Sequence, residues 1–171
     1  MKMAKKLLAV ILAGVLAVSL LTGCGGAVSA KTIAEAMSDK TIAEAMSDMS
    51  EEGVVYKADP ELRQIAEKIV KPSAAMQEGE TDIYDKIMNI MGEDYADKYV
   101  WIAATTTKGN NVTTQAENLL EDVDIDSNIN GAVADDTSPA NVRYIGTAPI
   151  TVNGVDYLFA VITADAVQDK V

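Results

Sequence analysis

The sequence KTIAEAMSD occurs twice in direct succession, as Lys31–Asp39 and as Lys40–Asp48. Nine residues at about 100° per residue rotate a helix by about 900°, so equivalent residues of the two copies lie on opposite faces. One continuous helix therefore cannot bury both copies in the same way. Two short copies also do not make a solenoid, whose repeats are longer and more numerous.

The second copy continues into a helical pattern. Ile42, Met46 and Met49 follow one another at i, i+4 and i+7, and Gly53 is placed to end the helix. We therefore predict that the second copy forms the first helix of the folded domain. We interpret the first copy as a spacer that arose by duplication and that folding does not require.

The N-terminus resembles the signal of a bacterial lipoprotein. Lys2, Lys5 and Lys6 precede an apolar run, Leu7–Leu21, that is shorter than the roughly 20 residues of a membrane-spanning helix. The run leads into LTGC, which ends at Cys24 and resembles the lipobox of bacterial lipoproteins. The alternative is an ordinary secretory signal followed by a free thiol.

The lipobox resemblance implies lipid attachment to the Cys24 sulfur and cleavage before that residue. It also implies export, with the lipid as the protein's anchor on the outer face of the cell membrane. A lone cysteine cannot form a disulfide within the chain. We accordingly divide the chain into a lipoprotein signal peptide (1–23), a lipidated tether with the spacer repeat (24–41) and a folded domain (42–171).

Charge and the absence of histidine limit the possible functions. The formal charge is −12 at pH 7, and it becomes −15 without residues 1–23, which hold three lysines and no acid. Such a surface repels nucleic acid, so no nucleic-acid partner is expected. Without histidine there is no Ser-His-Asp triad, Cys-His pair or HExxH zinc motif. We predict no catalytic residue, no cofactor and no enzyme activity.

Two further helices are predicted from end signals and apolar stripes. The first has Asp59 as its N-cap and ends before Pro72. Its stripe consists of Leu62, Ile65, Ala66 and Ile69. The second begins at Thr81 or Asp82 and ends at Gly92. Its apolar face consists of Ile83, Ile87, Ile90 and Met91, widened by Tyr84 and Met88.

A strand and another helix follow. The stretch KYVWIAATTT, Lys98–Thr107, is rich in strand-forming residues. The later stretch TTQAENLLEDV predicts a helix with Thr114 as N-cap and Glu117 completing a capping box. Glu117 is also a candidate general base, but the capping role accounts for its position.

The chain ends in a predicted β-hairpin. Asn153-Gly154, a strong signal for a two-residue turn, separates two strand patterns. The turn predicts three cross-strand pairs: Val152 with Val155, Ile150 with Tyr157, and Ile145 with Ile162. Pro149 has no N–H to donate, so it should lie at a bulge or face an open edge.

In order and spacing, these elements resemble the CAP superfamily of cysteine-rich secretory, antigen 5 and pathogenesis-related proteins. The stretches that carry the resemblance are YKADPELRQIAEKI, TDIYDKIMNIMGEDYADKYVWIA and VRYIGTAPITVNGVDYLFAVIT, and together they span about residues 50–164. The resemblance implies an α+β fold, in which a central antiparallel sheet lies between helical layers as an α-β-α sandwich.

The chain departs from the family at its functional site. The family's cleft carries two histidines and two acids, sometimes with zinc, and this chain has no histidine. Where the family often reads Glu-Asn-Ile-Ala, this chain reads Val100-Trp101-Ile102-Ala103. No family site residue therefore carries across, and zinc binding is not expected. The resemblance leaves the scaffold and an apolar groove. A continuous apolar cleft lined by Trp101, tyrosines and methionines would favour a binding function.

One loop partly matches a calcium-binding pattern. In DSNINGAVADDT, Asp126, Asn128 and Asn130 occupy positions 1, 3 and 5, but position 12 is Thr137, where a bidentate acid is needed. The first alternative is a polar loop without an ion. The second is a strand in which Val123, Ile125 and Ile129 alternate inward. We favour an interpretation without an ion, as a loop or as a strand, and keep Asp126, Asn128 and Asn130 as the calcium candidates.

Three functions remain open. We predict a membrane-anchored, extracytoplasmic lipoprotein whose non-catalytic CAP-like domain binds a ligand or an envelope partner. The alternative is a structural or spacer lipoprotein of the envelope without a ligand, and an open groove would distinguish the two. A hydrolase acting through carboxylates alone would need two acids that face each other in a cleft.

Overall fold

A computed structural model of the chain describes residues 28–71 and 83–169, with side chains described for 37–71 and 84–169. The predicted signal peptide (1–23) and Cys24 lie outside the described residues. The helices are α1 (Val28–Met49), α2 (Pro60–Val70), α3 (Ile83–Met91) and α4 (Val112–Glu121). The strands are β1 (Val55–Ala58), β2 (Lys98–Thr106), β3 (Thr137–Val152) and β4 (Val155–Gln168). Short 3-10 turns cover Glu93–Tyr95 and Ile125–Ser127.

The four strands form one mixed sheet in the order β1-β3-β4-β2. The pairs β3–β4 and β4–β2 are antiparallel, whereas β1 runs parallel to β3. The predicted α+β class is confirmed, but a wholly antiparallel sheet is wrong at this edge. Because β1 reaches β3 through several intervening elements and not through a tight turn, no hairpin forces the two strands to run in opposite directions.

Helices cover both faces of the sheet, and each face has its own apolar core. On one face, Leu62, Ile65 and Ile69 of α2 and Ile87 of α3 pack against Val100, Phe159 and Val161. On the other face, Ile42 and Met46 of α1 and Leu119 of α4 pack against Trp101, Ile145 and Ile162. The alternation along β2 and β4 explains this arrangement, since successive side chains point to opposite faces.

The closing hairpin has the predicted register. The pairs Val152–Val155, Ile150–Tyr157 and Ile145–Ile162 are all present. Asn153 and Gly154 have φ angles of 52° and 78°, the left-handed values that a type I′ turn requires. Strand β1 ends opposite Ile145, so β3 has an open edge on that side at Pro149. The lack of an N–H at Pro149 therefore costs no ladder hydrogen bond, as predicted.

Helix α1 runs without a break through both copies of the repeat. Met46 of the second copy is 0% exposed and the equivalent Met37 is 65% exposed, so the predicted opposition of the two faces is confirmed. However, Asp39, in the segment interpreted as a spacer, is only 2% exposed. The packed part of the chain therefore begins at least three residues before the boundary predicted at residue 42.

Three end signals of the other helices can be compared with the structure, and one of them is wrong. The helix start predicted at Thr81 or Asp82 lies outside the described residues. The Asp59 carboxylate accepts hydrogen bonds from the N–H groups of Glu61 and Leu62 at the start of α2. Helix α3 ends at Met91, before Gly92. At α4 the N-cap is Asn111, which accepts from the Thr114 N–H, so the capping box predicted at Thr114 and Glu117 is wrong.

Among the described helices, none combines the length and the apolar character that crossing a membrane requires.

Candidate functional site

A cleft of about 440 Å³ opens between α1 and the corner where β1 leads into α2. Helix α1 forms one wall with Asp39, Lys40, Ala43 and Glu44. Ala43 and Asp39 are buried, whereas the side chains of Lys40 and Glu44 reach solvent and pair with each other at 3.7 Å. This wall is formed by the last residue of the first copy and the first half of the second.

The opposite wall comes from β1 and the first turn of α2. Its residues are Tyr56, Lys57, Ala58, Pro60 and Arg63. The Tyr56 ring, Ala58 and Pro60 give it an apolar surface, with Lys57 exposed at the rim and Arg63 buried at the base. The cleft therefore places cations and carboxylates around an apolar centre.

A buried polar cluster forms the base of the cleft. The Asp39 carboxylate accepts the Thr147 backbone N–H at 3.2 Å and also accepts the Thr147 hydroxyl. Its second oxygen lies 3.7 Å from the Arg63 Nε. All three residues are buried, so the ion pair is shielded from solvent. Such a pair is costly to break, because either partner alone would be an uncompensated buried charge.

The position of Asp39 follows from the shortness of β1. Strand β1 ends opposite Ile145, so the N–H of Thr147, two residues further along β3, has no neighbouring strand on that side. Asp39 supplies the missing acceptor from α1. A side chain of the helix thus completes the sheet edge at the point where the cleft begins.

Gly146 allows α2 to approach closely enough for Arg63 to reach Asp39. A Cβ atom at Gly146 would lie 2.0 Å from the Arg63 backbone nitrogen and 2.2 Å from the Leu62 carbonyl carbon. Only glycine fits under this first helical turn. A glycine within a strand pattern signals such an approach, and this signal was available in the sequence.

Ser47 covers the outer edge of β1 next to the cleft. Its hydroxyl oxygen accepts the Tyr56 N–H at 2.8 Å and lies 3.3 Å from the Tyr56 carbonyl oxygen. Because outward-facing backbone groups recur every second residue, Ala58 also faces away from β3, toward the cleft. The edge is thus protected at Tyr56, while the backbone of Ala58 borders the cleft.

Tyr56 connects the cleft wall to an arginine held among aromatic rings. The Arg143 Nη1 donates to the Tyr56 hydroxyl at 3.0 Å, and its guanidinium carbon lies 5.2 Å from the centroid of the Trp101 ring. Burial raises the pKa of the Tyr56 hydroxyl, although the nearby Arg143 charge opposes this. Trp101 is 1% exposed, so it does not line an open groove of the kind that would have favoured a binding function.

The three calcium candidates lie in a loop that covers the edge of β2. Asp126 is exposed on a 3-10 turn. The Asn128 amide oxygen accepts the N–H groups of Val100 at 2.8 Å and of Asn130 at 3.2 Å. The Asn130 amide oxygen accepts the Ala132 N–H at 3.1 Å. Both asparagine oxygens are therefore engaged by backbone donors, as in the polar-loop interpretation.

Asn130 also holds the chain segment before β2. Asn130 is 4% exposed. Its amide nitrogen lies within hydrogen-bond distance of three carbonyl oxygens. These belong to Tyr95 at 3.1 Å, Ala96 at 2.9 Å and Lys98 at 2.8 Å. Within residues 28–71 and 83–169, no group of three or more acidic or sulfur ligands is placed to hold a metal ion.

Two further acidic residues, the candidate base Glu117 and Asp122, do not line the cleft. Glu117 is exposed on α4, away from the cleft residues. Asp122 at the end of α4 is half-buried, and burial raises the pKa of its carboxyl group, opposed by a backbone hydrogen bond from Ala104. Asp122 belongs to the cover of the β2 edge and not to the cleft.

The residues at the base of the cleft were missed by the sequence reasoning. Asp39 and Asp48 end identical nine-residue segments, yet Asp39 is buried and Asp48 is exposed. Helix periodicity distinguishes them, because Asp39 lies three residues before Ile42 and seven before Met46 and so shares their buried face. Asp48 lies on another face of α1. Arg63 lies within the apolar stripe of α2 without itself being apolar, and this was the one available hint that it has a buried partner.

Comparison of the chain with family models, with curated proteins and with solved structures found no match.

Proposed function

We propose that this chain is an exported bacterial lipoprotein, anchored to the outer face of the cell membrane through lipid on Cys24, whose domain binds a small ligand in the cleft. The sequence order of basic start, apolar run and LTGC motif supports the anchor. The cleft of about 440 Å³ above a buried ion pair is the observation that carries the binding role.

The CAP-like scaffold is part of this proposal. Helices on both faces of the sheet, the Asp59-capped helix α2 and the closing Asn153-Gly154 hairpin support it. The parallel strand β1 departs from the antiparallel sheet that the resemblance implied. The cleft lies at this departing edge, so its ligand cannot be inferred from the family.

The charges around the cleft suit a ligand that carries both signs. Lys40 and Lys57 offer positive charge and Glu44 offers negative charge at the surface of the cleft. Asp39 and Arg63 are buried against each other at its base. Ala43, Ala58 and Pro60 supply small apolar contacts between the charged groups. An amino acid or short peptide with free termini matches this arrangement, because its carboxylate and ammonium groups can each find a partner while its side chain meets the apolar wall.

The arrangement of the cleft carboxylates favours binding over hydrolysis. A carboxylate-only hydrolase needs one acid held protonated beside a second that is ionised. Here Asp39 faces Arg63 and Thr147, and Glu44 pairs with Lys40. Each carboxylate is thus matched to a cation instead of to the other acid.

A titration tests the ligand site. We would add alanyl-alanine to the ¹⁵N-labelled domain and follow its amide NMR signals. The chemical-shift changes should centre on Lys40, Lys57 and Ala58. Lys57→Ala should weaken dipeptide binding severalfold, because it removes a cation at the rim of the cleft. Lys108→Ala, an exposed lysine outside the cleft, is the matched control. If millimolar dipeptide shifts no cleft signal, the structural-lipoprotein alternative is favoured.

Cell fractionation tests the anchor separately. Cys24→Ser should leave the protein unprocessed and free of lipid, because the sulfur that accepts the acyl group is gone. The wild-type chain should partition with membranes and incorporate labelled palmitate. Normal processing and membrane association of the Cys24→Ser protein would refute the lipoprotein proposal without affecting the cleft.

A further inference from the structure

The second copy of the repeat, Lys40–Asp48, packs in a groove of the domain. Ile42, Ala43 and Met46 of the second copy are buried in it, and Ser47 bonds to the edge of β1. The first copy offers the same residue types nine positions earlier. Its Met37 is 65% exposed, whereas the equivalent Met46 is 0% exposed, so two identical methionines of one helix have opposite environments.

We propose that the groove can accept either copy and that Asp39 selects the second. If α1 shifted by nine residues, each residue from 40 to 48 would be replaced in the groove by an identical one. The position of Asp39 would then be taken by Ala30, which cannot accept a hydrogen bond. A single buried polar residue thus sets the register of the helix, as buried polar residues do in coiled coils.

The contacts of Asp39 give this selection its strength. In the shifted register the Thr147 N–H would lose its acceptor and Arg63 would lose this carboxylate, both in a buried place. The connection from α1 to β1 would also grow by nine residues. That second penalty is small, because loop-closure entropy grows only with the logarithm of loop length.

The two registers would differ in reach and in the cleft. With the first copy docked, nine fewer residues would separate Cys24 from the domain. The cleft would retain a lysine, an alanine and a glutamate from α1 but would lose the carboxylate beside Arg63. This inference depends on neither the lipid anchor nor the ligand, since it concerns α1 and its groove alone.

Methionine oxidation of the full chain reports the register. Limited peroxide treatment followed by trypsin, which cleaves after Lys40, gives separate peptides for Met37 and Met46, and fragment ions separate Met46 from Met49. In the wild-type chain, Met37 should oxidise at least tenfold faster than Met46, as their exposures require. The test variants are Asp39→Ala, and Asp39→Ala combined with Ala30→Asp. Asp48→Ala, an exposed aspartate in the same local sequence, is the control.

The double variant decides the question, because it moves the carboxylate to the other register. We expect Asp39→Ala to lower the melting temperature and Ala30→Asp to restore it, with Met37 now protected and Met46 oxidised. Asp48→Ala should leave the wild-type pattern unchanged. Failure of Ala30→Asp to restore the melting temperature, or restoration with Met46 still protected, would overturn the proposal.

Discussion

Asn130→Asp tests whether the loop after α4 is a structural cover or an ion site. The substitution keeps the size of the side chain and replaces its NH₂ group with an oxygen. That oxygen would face the carbonyls of Tyr95, Ala96 and Lys98, which lie 2.8–3.1 Å from the present nitrogen. In a calcium site an added carboxylate would be favourable, so the two interpretations predict opposite results.

The size of the effect follows from these contacts. The NH₂ group has two hydrogens, so its loss removes the donor of two partly buried carbonyls. A fully buried unsatisfied group costs about 1–3 kcal/mol, and water can reach these carbonyls in part, so unfolding should become easier by about 1–3 kcal/mol in total at pH 7. Asn128→Asp in the same loop should cost much less, because the Asn128 oxygen already accepts two N–H groups that a carboxylate also accepts.

Acidification should partly restore the Asn130→Asp protein. Burial against carbonyl oxygens raises the pKa of the new carboxyl group in the folded state, so its protonated form is favoured there. Stability is then lost as the pH rises above the ordinary carboxyl pKa and is regained as the pH falls, because the protonated group donates one hydrogen bond. Urea unfolding at pH 7 and pH 5, followed by circular dichroism, measures both effects. A loss below 0.5 kcal/mol at pH 7, or stability independent of pH, would refute the reasoning.

Three other predictions concern single positions. Gly146→Ala should lower the free energy of unfolding, measured by urea titration, by about 1–3 kcal/mol or more, because the added Cβ would meet the backbone of Arg63. Gly131→Ala is the control and should change the stability little, because a Cβ there would have no atom within 4 Å. Asp122→Asn should raise the melting temperature at pH 7, because burial raises the pKa of Asp122 and so disfavours its charged form in the folded state. The gain should disappear as the pH falls toward 3.8, where the carboxyl group of the unfolded chain also becomes protonated. A gain that is independent of pH would contradict this cause. Calcium should not raise the melting temperature and zinc should not bind stoichiometrically in calorimetry; a calcium-dependent rise that Asp126→Ala abolishes, or tight zinc binding at micromolar protein, would show that the chain holds an ion after all.

Features that depend on neighbours along the chain could be predicted from the sequence. The Asp59 cap fixes the start of α2, and Asn153-Gly154 fixes the hairpin turn, from which the register of the β3–β4 pairs follows. The nine-residue spacing of the repeat places equivalent residues of its two copies on opposite faces of the helix. The burial of Met46 and the exposure of Met37 confirm this. These features follow from helix periodicity, side-chain capping and turn geometry, which act over a few residues.

The burial of Asp39 and its partners in the fold were decided only by the tertiary structure. Asp39 and Asp48 have the same preceding residues, but only Asp39 lies opposite Thr147 where β1 ends. That position depends on the parallel pairing of β1 with β3 and on Gly146, which lets α2 bring in Arg63. The lining of the cleft comes from residues 39–63, but β3 positions these residues through its pairing with β1 and through Thr147. The charges and the volume of the cleft therefore depend on long-range packing that no local pattern records.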